Sequence, residues 1–188
     1  KYTTEKINKI TFSLLKVKDN LCKKLKKMIY VSLIRPHIEY GISVWGGSKF
    51  LKPLEMAQKR TIRIVNECNK FTHSEPLLKH MNELKISDIY KMNALLLAKK
   101  IRDGETPTIL NNHFKWNDIS SRRCHQMKSL PYNTMTEKTP SIQIPKIWNS
   151  FYHDGMGQEV NLPSKYFRKF ISESLTASYY DKCTNKVC

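Results

Sequence analysis

The chain has 188 residues and a mass of 22.1 kDa, with 40% hydrophobic residues and only six glycines. That composition excludes a disordered tail and fits one domain, or one domain with a smaller appendage, large enough to bury a core. The charge, 33 Lys+Arg against 16 Asp+Glu for a net +17 and a pI near 9.7, points to a polyanionic partner, because each phosphate neutralised releases condensed counterions. A solvated, solubility-driven surface is the alternative. Of these charges, 22 basic and 9 acidic groups fall in residues 1–104 and 11 and 7 in residues 105–188, so the excess belongs to the N-terminal part. Lys1 in first place, with no signal or transit-like leader, reads as a fragment whose upstream part is missing.

From the N-terminus the chain is mostly helical. Thr4 caps a first helix in which Ile7, Ile10, Leu14 and Val17 recur every three or four residues. Asp19 or Asn20 starts a second, where Leu21, Cys22, Leu25, Met28, Ile29 and Leu33 form one stripe while Lys23, Lys24 and Lys27 project from the other side. This helix runs into Tyr30–Gly47, which is apolar at nearly every helical spacing. Its Leu33, Ile34, Ile38, Tyr40, Ile42, Val44 and Trp45 gain roughly 1.5–3 kcal/mol for each one fully buried, so the stretch is expected in the middle of the fold. No run approaches the ~20 apolar residues of a membrane span. Pro36 has no amide proton and disfavours helical geometry at Arg35, which predicts a kink or a break, and Gly46–Gly47 end the stretch.

A third helix, with Pro53 in its first turn, gathers Leu51, Leu54, Gln58, Ile62 and Val65 on one side and sets Lys52, Lys59, Arg60 and Arg63 on the other. Packed side by side, the second and third helices present one continuous cationic surface; the bland alternative is two separately solvated faces. Ser74-Glu75-Pro76 is a strong helix start, followed by Leu77, Leu78 and Met81 and a break around Leu84-Lys85. Ser87 and Asp88 open a longer helix with Ile89, Met92, Leu95, Leu96 and Leu97, closed by Asp103-Gly104.

Beyond Gly104 five prolines, Pro107, Pro131, Pro140, Pro145 and Pro163, break the periodicity, and the junction between subdomains is expected near 104–112. Extended segments are expected at Met127–Leu130 and Ile142–Ile144, then a short helical turn at Lys146–Phe151. A final helix from Ser164 to about Tyr180 carries Phe167, Phe170, Ile171 and Leu175 on one side, with Trp116, Trp148 and Phe151 as core partners. Of the five cysteines only Cys183 and Cys188 are close, as C-x4-C. Two sulfurs do not complete a tetrahedral site, and the odd count fits a reducing compartment.

No catalytic constellation emerges. Nucleotidyl transfer needs carboxylates close enough to hold two divalent cations, and Asp19, Asp88, Asp103, Asp118, Asp154 and Asp181 are scattered, with no adjacent pair. There is no Gly-rich phosphate loop and no nucleophile elbow. On its own the chain is not expected to catalyse a reaction.

The pattern Tyr30-x-x-Leu33-Ile34-x-Pro36-x-x-x-Tyr40-Gly41-x-x-x-Trp45-Gly46, followed by Leu54-x-x-x-Gln58-x-x-x-x-Arg63, resembles the region just after the polymerase core in reverse transcriptases of non-LTR retrotransposons, the LINE type, especially the jockey and CR1-like groups. The likeness continues through residues 72–97 and again through 121–131 and 140–151, and so covers nearly the whole chain. It implies a mainly α fold: a thumb-like helical bundle over residues 1–104, then a smaller, irregular α+β C-terminal extension over 105–188. It implies that Lys23, Lys24, Lys27, Lys52, Lys59, Arg60 and Arg63 grip the template–primer duplex, an RNA template and its RNA–DNA hybrid, through backbone phosphates, which position without reading sequence. It further implies an upstream palm and fingers domain as partner, with Mg²⁺ belonging to that core and no cofactor in this chain. The implied setting is an intracellular ribonucleoprotein, nuclear or cytoplasmic, without membrane contact. Two other readings stay open: a helical module that docks on a protein through Tyr30–Trp45, and a degenerate remnant of a mobile element.

Overall fold

The computed structural model describes residues 2–48, 51–117, 125–134 and 136–179. It is mainly α. In chain order the helices are α1 Tyr2–Val17, α2 Lys23–Ile29, α3 Arg35–Glu39, α4 Ile42–Trp45, α5 Leu51–Val65, α6 Ser74–Met81, α7 Ile86–Arg102, α8 Thr108–His113, α9 Pro140–His153 and α10 Ser164–Ala177. A π-helical turn at Tyr30–Ile34 joins α2 to α3, and 3₁₀ turns fill Lys18–Asn20 and Met156–Asn161. Among the described residues β structure is confined to one isolated antiparallel bridge, Trp116 to Met127. Two compact units result: the described residues of Lys1–Tyr40, Lys49–Ile89 and Ser174–Cys188 form the first, and those of Gly41–Ser48 and Tyr90–Glu173 form the second. The 104–112 stretch belongs to the second.

In the first unit α5 is the element the others pack on. Its Leu54, Ala57, Gln58, Thr61, Ile62 and Val65 are buried, the side expected from its periodicity. Its contact with α1 carries a buried hydroxyl pair, Thr11 Oγ1 and Thr61 Oγ1 at 2.7 Å, and each hydroxyl also meets the carbonyl one turn back, Ile7 at 2.7 Å and Ala57 at 2.9 Å. Gln58 reaches further. Its Nε2 donates to the Tyr30 hydroxyl at 3.0 Å and to the Leu84 carbonyl at 2.9 Å, and its Oε1 accepts from the Ile86 amide at 3.2 Å. One buried amide thus ties three parts of the unit together, because a buried polar group is tolerated only when its bonds are made. Burial pushes the Tyr30 phenol well above its usual range, even against the Gln58 bond that favours its ionised form.

The α2–α3 stretch differs from the expected packing. Lys26, Tyr30, Ile34 and Ile38, each four residues after the last, are all 2% exposed or less. In an unbroken α-helix a four-residue repeat drifts by about 40° per step. The wider π turn at Tyr30–Ile34 winds the chain back, so the four side chains keep facing the core. It also answers Pro36, whose missing amide proton and bulky ring strain the preceding turn. Ile34 and Arg35 stay in the right-handed helical region, at φ −98°, ψ −49° and φ −55°, ψ −44°, so the helical path runs through Pro36 without breaking. The consequence is a correction: Cys22, Leu25, Met28 and Leu33 are exposed and Leu21 and Ile29 half-buried, while Lys26 is inside. The central stretch is likewise only partly core. Tyr30, Ile34, Ile38 and Ile42 are buried, but Leu33 and Val44 are exposed, because a helix packed on one side cannot bury apolar residues all round, and Tyr40 is exposed in the extended turn that ends α3.

α6 ends on Asn82, in the left-handed conformation at φ 55°, and the break expected near Leu84-Lys85 falls between α6 and α7. Tyr179 is buried in this unit. Its hydroxyl donates to Asp88 Oδ2 at 2.7 Å and accepts from the Lys85 amide at 2.9 Å.

The second unit corrects another expectation. Ile142–Ile144 is not extended, and the short turn expected at Lys146–Phe151 is the middle of the fourteen-residue α9. Thr139 and Pro140 start it, Pro being well suited to a first turn. Ile144, Trp148 and Phe151 then share one buried side at helical spacing. Trp148 is fully buried, its Nε1 donates to the His125 carbonyl at 3.0 Å, and Trp116 meets it edge-on at 5.7 Å. Phe151 and Phe167 form a second edge-to-face pair at 5.8 Å, as expected of the last helix. The segment around Met127 is extended, and Asn149 stands in for a neighbouring strand: its Oδ1 accepts from the Met127 amide and its Nδ2 donates to the Met127 carbonyl, both at 2.9 Å. Gly46 is required where it is, since a Cβ there would lie 2.2 Å from the Tyr90 ring. α7 closes at Gly104, in the left-handed region at φ 73°.

Candidate nucleic-acid interface

On α5, helix geometry sets Lys52, Lys59 and Arg63 within about 40° of one another, at 100° per residue. Lys52, Lys59 and Arg60 are exposed opposite the buried side. Arg63 is half-buried and its Nε donates to the Thr72 carbonyl at 2.7 Å, so it also holds the loop that follows the helix.

On α2, Lys23, Lys24 and Lys27 are exposed. The two helices touch and run in opposite directions, since Lys26 meets Glu67 just beyond the end of α5 while Tyr30 meets Gln58 in its middle. The start of α2 therefore lies toward the Arg63 end of α5, and Lys52 lies at the far end.

Acidic side chains offset part of this field. The Lys26 ammonium, 2% exposed, bonds Glu67 Oε1 at 2.5 Å. That bond holds the Glu67 carboxyl below its usual range, with Lys23 and Lys18 adding to the effect. Lys27 faces Glu83, whose burial raises its carboxyl above the usual range despite Arg35 at 3.2 Å and Lys27 itself. Arg35 also bonds Glu39 at 3.0 Å. The guanidinium loses hydration by burial, yet Glu83 and Glu39 hold it more firmly charged than in water.

Two features escape residue-by-residue inspection of the sequence. Lys26 was hidden because a lysine next to other lysines reads as surface; the helical register Lys26, Tyr30, Ile34, Ile38 was the available signal. The second is a pocket in the second unit assembled from separate segments, for which no local motif exists. Among the described residues no group of three or more His, Cys, Asp or Glu is placed to hold a metal ion, and no helix is long and apolar enough to cross a membrane. Neither Cys22 nor Cys68 is in a disulfide; Cys124, Cys183, Cys188, Asp118 and Asp181 lie outside the described residues. Comparison with protein-family models, curated proteins and solved structures returns no match.

Proposed function

We propose that this chain is the thumb-like and C-terminal part of a LINE-type reverse transcriptase, holding an RNA template and its RNA–DNA duplex through backbone phosphates inside an intracellular ribonucleoprotein, beside an Mg²⁺-dependent polymerase core. The observation that carries the reading is α5: one side buried and pinned by Gln58, the opposite side presenting Lys52, Lys59 and Arg60 to solvent on a rigid element. A fixed row of cations suits phosphate contacts, which position a duplex without reading its bases. The net charge of +17 supplies long-range attraction to it.

The test is fluorescence anisotropy of the chain with an RNA–DNA duplex over a salt series. Log K falls linearly with log salt, with a slope of about −0.9 per phosphate contact on a B-form duplex. Lys52→Gln, Lys59→Gln and Arg60→Gln together keep helix propensity and should flatten the slope by up to roughly three contacts. Arg63 is left in place because of its bond to Thr72. An unchanged slope in the triple variant, or binding indifferent to salt, would count against the duplex grip. A second reading, a helical protein-docking module, draws on the exposure of Leu33 and Tyr40, 50% and 85%.

A further inference from the structure

The second unit holds an open pocket of about 830 Å³ lined by Arg102, Trp116, His125, Tyr152, Gln158 and Asn161, within the roughly 300–1,000 Å³ range of small-molecule sites. Three of these residues are aromatic, and they come from three separate segments. His125 lies parallel to Tyr152, with 7° between planes and centroids 6.0 Å apart. Tyr152 leans on the fully buried Trp148 at 5.3 Å, and Trp116 meets Trp148 edge-on. Trp148 is fixed in turn by its bond to the His125 carbonyl. The aromatic wall is therefore anchored to the core of the unit.

A cation stands beside it. Arg102 donates from Nη1 to the Tyr152 hydroxyl at 3.3 Å and from Nη2 to Asn161 Oδ1 at 2.8 Å. Its nearest carboxylate is Asp103, 3.5 Å from Nε, but Asp103 is held more closely by the buried Lys99 ammonium at 2.6 Å. Two cations share one carboxylate, which leaves net positive charge at the pocket wall. Gly157 makes the fit tight, since a Cβ there would lie 2.6 Å from the Tyr152 ring.

We propose that this pocket binds one unpaired nucleotide of a single-stranded nucleic acid: the base packs against the His125, Tyr152 and Trp116 rings, its phosphate pairs with Arg102, and the Gln158 amide meets its polar edge. Every base has a π face, so such a platform binds without sequence preference, and a guanidinium is the natural phosphate partner. The site does not depend on the duplex grip of α5, and a free mononucleotide offers the same base-and-phosphate chemistry.

The experiment titrates the full chain against a fluorescein-labelled single-stranded RNA dodecamer at fixed salt, with AMP as competitor and the RNA–DNA duplex as a separate probe. His125→Ala removes an exposed ring while keeping the carbonyl that Trp148 uses, and Gln158→Glu puts a negative charge at an exposed wall position. Loss of a base–aromatic stack corresponds to roughly 5- to 150-fold in affinity. The expected result is a loss of that order for His125→Ala and a clear loss for Gln158→Glu, with melting temperature and duplex affinity unchanged. Tyr152→Phe, which keeps the ring and frees one Arg102 nitrogen, should retain binding. An affinity for the dodecamer well above that for AMP assigns the site to a strand, and equal affinities assign it to a mononucleotide. Wild-type affinity in both His125→Ala and Gln158→Glu, or no binding of the dodecamer at all, overturns the proposal. That outcome leaves the α5 reading standing if the duplex slope still falls in the triple variant.

Discussion

Helices α5 and α2 carry nearly the same message in sequence, an apolar stripe opposed by basic residues, and the fold treats them differently. α5 buries the stripe and exposes the cations. α2 is turned by about one residue, so that a lysine goes inside and Leu25 and Met28 come out. What separates them is the chain on either side. α5 is fifteen residues long and packs on α1, α2 and α6, so its own periodicity sets its rotation. α2 has seven residues and is continuous with a π turn and a proline-bearing helix, and its rotation is set by where Tyr30, Ile34 and Ile38 must go. A short helix takes its rotation from the segments continuous with it.

The largest expected effect falls on the α5 residue that ties the turn after α2 in place. Gln58→Met keeps the side chain's length but strips partners from the Tyr30 hydroxyl, the Leu84 carbonyl and the Ile86 amide. At about 1–3 kcal/mol for each buried group left unsatisfied, partly relieved by water, the loss should be about 3–5 kcal/mol, read from the urea midpoint. Next comes the rotation of the α2–α3 stretch. Ile34→Ala should cost about 2–4 kcal/mol, in the range of core truncations, whereas Leu33→Ala, one residue away and half exposed, should cost less than about 1 kcal/mol. Equal losses would mean that the stretch is not turned as described.

Legibility follows the same division. The mainly α class, the buried side of α5 and the closure of α7 at Gly104 were readable, because each rests on a long periodic run or on a turn residue with a steric reason. The rotation of α2 was not, since the π turn that resets the helical phase leaves no compositional mark. α9 runs against expectation because Pro145 and Pro140 argue for extended chain, although Pro140 lies in a helical first turn, where proline is tolerated. At the candidate interface, the exposure of Lys52, Lys59 and Arg60 was legible from period alone. The engagement of Arg63 with Thr72 was not, because its acceptor is a backbone carbonyl nine residues away.

A smaller effect tests the buried lysine. Its bond holds the Glu67 carboxyl below the ordinary value of about 4.3, so the pair contributes stability above that pH and loses it as pH falls through the lowered value. Thermal melts between pH 7 and pH 3 should show an acid-side loss that is weaker in Lys26→Met, and Glu67→Gln should lower the melting temperature of the wild-type chain but not of Lys26→Met. Equal responses in both backgrounds would show that the two side chains are not coupled.

The smallest effect on stability is expected on the outward side of α2, and it bears most directly on function. Leu25 is 44% exposed beside Lys24, so Leu25→Lys buries no charge and should change stability by no more than about 0.5 kcal/mol. If α2 and α5 share one phosphate-tracking surface, the added cation gives one more contact, steepening the slope of log K against log salt by about 0.9 on a B-form duplex and raising affinity most at low salt. If only α5 meets the duplex, the slope stays put while that of the α5 triple variant still flattens. The pair of slopes therefore separates a surface built on two helices from one built on a single helix, and it does so with a substitution that the exposed position of Leu25 leaves structurally silent.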